Sequence, residues 1–187
     1  MNRLPTADQL QNLPIRAVLG YAARAWRRVS SVLDGHALGE VTEEALSLVE
    51  KVLSAKNLDQ MDRALFPNSA ANILGTATED GTVEQHIIWF AACAVVMAAG
   101  DTLEAARNED ALPKYAARAA TRAARAARAA DVLGEPHESM ATAAACRDYD
   151  IMVNHFRDMD EGIVGDPIDI SATGFLGPIW PNEASSK

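Results

Sequence analysis

Aromatic residues are scarce in this chain, at 5% of its length, while apolar residues of all kinds make up 49%. Alanine supplies much of that fraction, so the sequence predicts a thin helical core rather than a thick aromatic one. Cysteine occurs only twice, at Cys93 and Cys146, far apart in the chain. Two thiols build neither a disulfide framework nor a zinc site, and they suit a reduced, cytoplasmic setting. The first residues, MNRLPTADQLQNLP, hold no apolar stretch of the signal-peptide kind. The longest apolar run, Ile87–Gly100, is 14 residues, short for a membrane span and suited to a buried helix. HExxH, Glu-x-x-His pairs, a phosphate-cradling glycine loop and a GxSxG elbow are all missing. No segment alternates apolar and polar residues as a half-buried strand does. These absences leave an all-α fold with no catalytic constellation, metal or cofactor in view.

At 187 residues the chain is long enough for one domain with a sizeable core. The reading is a single bundle of five or six helices over residues 1–162, followed by an irregular tail, 163–187, strapped onto it. Pro14, behind Asn12 as cap, opens a first helix that stops at Asp34-Gly35. Thr42 caps a second, with the stripe Leu46, Val49, Val52 and Leu53. A short helix near 59–65 ends before Pro67, and 68–81 reads mostly as loop. A long helix from Thr82 to Asn108 is apolar on all sides and belongs at the centre. Pro113 opens a helix that Gly134 closes. Pro136 opens the last, which runs to Glu161 and ends at Gly162.

The stretch 116–130 reads AARAATRAARAARAA. At about 100° per residue, Lys114, Arg118, Arg122, Arg125 and Arg128 form one cationic stripe. Ala116, Ala120, Ala123 and Ala127 form the opposite face and permit close helix packing. Net charge is −9 overall, but it alternates along the chain: +3 over 1–34, −6 over 35–100, +2 over 101–130 and −8 over 131–187. Neighbouring helices can therefore neutralise one another. One antiparallel pairing brings Arg118 to Asp148 and Asp150; another brings Arg122 to Asp101 and Arg118 to Glu104.

The net negative charge argues against a general nucleic-acid binder and favours a basic partner. Asp158, Asp160 and Glu161 fall in the predicted last helical turn, where the helix dipole disfavours anions. A patch that breaks a local rule is a candidate docking surface. The tail segment Phe175-Leu176-Gly177-Pro178-Ile179-Trp180-Pro181 is apolar yet rich in helix breakers. That points to a strap, or to a motif presenting Phe175, Ile179 and Trp180 to a partner.

The alanine-rich body over 115–161 and the Gly-Pro-hydrophobic-Trp-Pro ending at Gly177–Pro181 resemble a group of uncharacterised alanine-rich bacterial proteins. The resemblance implies no activity. The leading expectation is a non-enzymatic protein–protein interaction module of the immunity-protein or antitoxin kind, an acidic inhibitor of a basic partner. Its partner-binding residues are Asp158, Asp160, Glu161, Phe175, Ile179 and Trp180. Two alternatives stand beside it. One is a metal-binding protein or enzyme using His155, Asp158 and Glu161, with Cys146. The other is a nucleic-acid binder through Lys114, Arg118, Arg122, Arg125 and Arg128.

Overall fold

The computed structural model describes residues 3–30, 37–76, 82–133, 138–158, 163–171 and 173–179. Its described residues form an all-helical bundle without strands: α1 (Ala7–Gln11), α2 (Ile15–Ser30), α3 (Ala37–Ser54), α4 (Leu65–Gly75), α5 (Val83–Arg107), α6 (Leu112–Leu133) and α7 (Glu138–His155). A single 3-10 turn, Glu109–Ala111, joins α5 to α6. The helix stops and starts expected at Asp34-Gly35, Gly134, Pro136 and Gly162 lie outside the described residues.

The described residues hold seven α-helices against the expected five or six, and the differences have local causes. Thr6 builds a capping box with Gln9, which nucleates the five-residue α1 ahead of Pro14. Pro67 does not end a helix. It sits in the first turn of α4, where backbone N–H groups have no helical acceptor and proline costs little. Most of the stretch expected to be loop is therefore helix, with Phe66, Ala70 and Ile73 buried. Thr42 is not a cap either. It lies inside α3, buried, and its hydroxyl donates to the Gly39 carbonyl at 2.9 Å. Thr82 does cap α5, as a capping box with Gln85. The last helix stops at His155 rather than Glu161.

α5 is the central element. Its buried side chains run from Ile88 to Ala105, and α2, α3, α4 and α6 all pack against it. It is long and apolar enough to cross a membrane by length and composition, and most of that apolar window is buried within the bundle. On α6 the expected alanine face is buried throughout: Ala116, Ala120, Ala123 and Ala127 are at most 3% exposed. With Ala119, Ala124, Ala126 and Ala130 also buried, α6 lies against α5, α2 and α1 with methyl groups on several sides.

Residues 163–171 and 173–179 run across this bundle as a strap. The carbonyls of Ile163 and Val164 accept the N–H groups of Ile15 and Arg16, two of the donors that the first turn of α2 leaves unpaired. The Ile168 N–H donates to the Leu53 carbonyl at the end of α3 at 2.8 Å. Arg16, itself buried, donates to the carbonyls of Leu53 and Ala55, so one guanidinium closes the C-terminus of α3. Ile168, Ile170 and Leu176 join the core. Gly20 of α2 allows this close crossing, because a Cβ there would meet the Ile170 side chain at 3.3 Å.

Candidate functional site

The α5–α6 seam combines the two features the sequence makes most of, the apolar run and the arginine stripe. Thin alanine packing brings α6 close to α5 and leaves the larger side chains on the outer edge of α5 uncovered. Phe90 is 70% exposed and Val83 72% exposed, unusual for large apolar groups. Ile87, Phe90, Ala94 and Met97 of α5 line one wall of a groove of about 440 Å³, and Arg122, Arg125 and Ala129 of α6 line the other. Met97 also borders a second hollow of about 310 Å³ that continues along the seam past Asp101, Glu104, Tyr115 and Arg118 to Phe66 of α4.

Asp101 divides the arginine stripe into used and unused halves. Its carboxylate is buried and pairs with Arg118 at 3.3 Å and with Arg122, which also donates to the Met97 carbonyl. Burial pushes Asp101 above the usual carboxylate range, against the pull of Arg122 and Arg118. Burial likewise lowers Arg122, which Asp101 opposes. Of the two expected pairings for α6, the one with α5 forms at Arg122–Asp101. Arg118 takes Asp101 rather than Glu104, whose partner is Arg63. The pairing of Arg118 with Asp148 does not occur, because α6 folds back along α5 and Asp148 is occupied from α2. Arg125 and Arg128 are exposed and make no ion pair with any described residue. Lys114 and Arg118 both lie over the Tyr115 ring, at 5.7 and 5.6 Å from its centroid. Two of the five stripe cations thus share one internal carboxylate, which offsets one of their charges and thins the phosphate-binding surface.

Of the expected acidic patch, only Asp158 lies among the described residues. α7 ends at His155, so Asp158 sits in an exposed turn three residues beyond the helix and the dipole argument does not apply to it. Asp160 and Glu161 lie outside the described residues, as does Trp180. Phe175 is 37% exposed and stacks on the His155 ring, with centroids 4.4 Å apart. Phe156 meets both rings edge-on. Ile179 is only part-exposed, and its carbonyl accepts from Arg28. The described part of the tail is therefore already engaged by its own bundle.

Among the described residues no three His, Cys, Asp or Glu side chains gather as a metal site would require. Burial raises the Cys93 thiol to about 11. Burial also raises the Cys146 thiol, with Asp150 and Asp131 adding to the shift, and its Sγ donates to the Arg3 carbonyl. Neither is poised as a thiolate nucleophile. A further hollow of about 390 Å³ between α2, α3 and the strap is lined by Arg27, Glu50, Asp169 and Ser171, with no His or Cys among its described lining.

Sequence reasoning missed one group entirely. Arg24 and Arg28, one turn apart on α2, converge on Asp148 of α7, where Arg147 joins them. The i, i+4 spacing of two arginines inside an apolar helical face was the available signal. Comparison with known protein families, with characterised proteins and with solved structures finds no match for this chain.

Proposed function

We propose that this chain is a non-enzymatic protein-binding module whose docking surface is the α5–α6 groove. The observation that carries this reading is the exposed Phe90 beside an arginine, Arg125, that pairs with no described residue. Aromatic residues, Phe among them, and arginine are enriched at the cores of protein interfaces. An exposed apolar groove between helices suits an amphipathic helix from a partner. The charge of the wall selects that partner: its apolar stripe is flanked by Asp or Glu, which meet Arg125 and Arg128.

The acidic-inhibitor reading concerns a different face. It is supported by Glu40, Glu43 and Glu44, all exposed on the first half of α3, and by the net charge of −9. Site-specific photo-crosslinking in the native cell separates the two. A crosslinker at position 90 captures an acid-bearing helical segment if the groove is the docking surface, and Arg125→Glu abolishes the capture. Crosslinks that form only from position 43, to a basic surface, replace the groove with the acidic face. Self-crosslinking from position 90 makes the occupant a second copy of this chain and overturns the acidic-partner reading.

A further inference from the structure

The Gly177-Pro178-Ile179 segment has a role that the groove does not absorb. Asp148 is fully buried and accepts from Arg24 Nε at 2.8 Å, from Arg147 Nη2 at 2.9 Å and from Arg28 Nη2. The Arg24 and Arg28 side chains are at most 1% exposed, and that of Arg147 is 27% exposed. Among the described residues, three guanidiniums against one carboxylate leave two positive charges in a nearly dry cluster. The described groups that meet that excess are neutral. Arg24 donates to the carbonyls of Ile170, Gly177 and Pro178 at 2.7–3.1 Å. Arg28 donates to the Ile179 carbonyl at 3.2 Å and Arg147 to the Pro178 carbonyl at 2.7 Å. Among the described residues donors still outnumber acceptors, since Arg28 Nη1 and Arg147 Nε are buried without a partner there. Isolated buried charge is costly, and carbonyl dipoles offset it only in part.

We infer that Arg24, Arg28 and Arg147 form a binding site for a phosphate-type oxyanion, covered in this conformation by the carbonyls of Gly177, Pro178 and Ile179. The inference does not depend on the α5–α6 groove. A phosphate group carries a charge of about −1.5 to −2 at neutral pH and three acceptor oxygens. That matches two surplus charges and the surplus N–H groups, and guanidinium forks fit such oxygens in pairs. The cover is built to lift. Leu176 is an anchor, 1% exposed, whereas residues 177–179 are part-exposed. Gly177, the first of these, turns the chain at φ +67°, a conformation that other residues adopt with strain.

The test is a titration of the full chain with inorganic phosphate against sodium chloride at matched ionic strength. The readout is the NMR signals of the Ile179 amide and the arginine Nε–H groups. Phosphate is expected to shift them saturably and chloride is not. Gly177→Ala is the decisive variant. A Cβ there meets nothing within 4 Å, so the substitution acts only by straining the covered conformation. Competition between cover and ligand then tightens apparent phosphate affinity about fivefold. Arg147→Gln, at the edge of the cluster, weakens it tenfold or more. Phosphate effects no larger than those of chloride in both the wild type and Gly177→Ala overturn the site. So does a Gly177→Ala affinity equal to or weaker than wild type, which marks an adventitious ion only. A phosphoserine tetrapeptide run in parallel assigns the source: tighter binding than inorganic phosphate supports a phosphoryl group carried on protein, and weaker binding supports the free ion.

Discussion

Arginines on α2 and arginines on α6 have opposite fates although both ride on alanine-rich helices. Arg24 and Arg28 are buried and face Asp148 and the strap. Arg125 and Arg128 project into solvent, and Arg118 and Arg122 share one carboxylate at the rim of a groove. Local sequence hardly distinguishes the two sets. What distinguishes them is whether carbonyls and a carboxylate arrive from elements remote in the chain. A guanidinium can be interior where a carboxylate and carbonyls from elsewhere meet most of its donors.

The sharpest way to break this comparison is to remove the carboxylate on each side. Asp148→Ala leaves three guanidiniums without their anion and is expected to destabilise by about 3–5 kcal/mol, measured by urea denaturation. A loss below about 1 kcal/mol would mean that water reaches the cluster and that it is not interior. Next in size is the alanine face that places the stripe. Ala123→Leu or Ala127→Leu should each cost about 1–3 kcal/mol by overpacking. Tolerance of both would show that this face is open and that α6 does not lie as described.

Asp101 gives the pH test. Its carboxyl lies above the usual carboxylate range in the folded chain, chiefly through burial. Between the unfolded and folded values the native state holds more protons than the unfolded one, so this group's contribution to stability falls as pH rises through that window. Asp101→Asn removes the titration. The wild type should therefore gain on Asp101→Asn as the solution is acidified into that window, in paired denaturation curves, and an unchanged difference sinks the assignment. The smallest effect belongs to the free arginines. Arg125→Ala and Arg128→Ala should each change stability by no more than about 0.5 kcal/mol. A larger loss would show that they hold the bundle together and do not serve the groove.

Much of the helical frame was legible because its signals are local. The start of α5 at Thr82, the apolar stripe of α3 and the four buried alanines on one face of α6 all follow from spacing along a few turns. Arg122–Asp101 followed from pairing consecutive helices that fold back on each other. The α4 helix was missed because proline is a weaker barrier in a first turn than within a helix. The Arg24–Asp148 cluster was missed because its partners are 124 residues apart in the chain, beyond the reach of any periodicity. The groove could not be read from the apolar run alone, since a run gives hydrophobicity and not which side chains a thin neighbour leaves bare.

The strap has a consequence for how the chain comes into being. Arg24 is made 124 residues before Asp148 and 153 before Gly177. At translation rates of about 5–20 residues per second, its partners follow on the order of 10 s later. During that interval the N-terminal helices emerge with their arginines still hydrated, and charge keeps the nascent face from collapsing dry. Only when residues 163–179 emerge can Ile168, Ile170 and Leu176 complete the core and the guanidiniums leave water. Completion of this bundle is thus timed by nearly the last of its described residues to be synthesised.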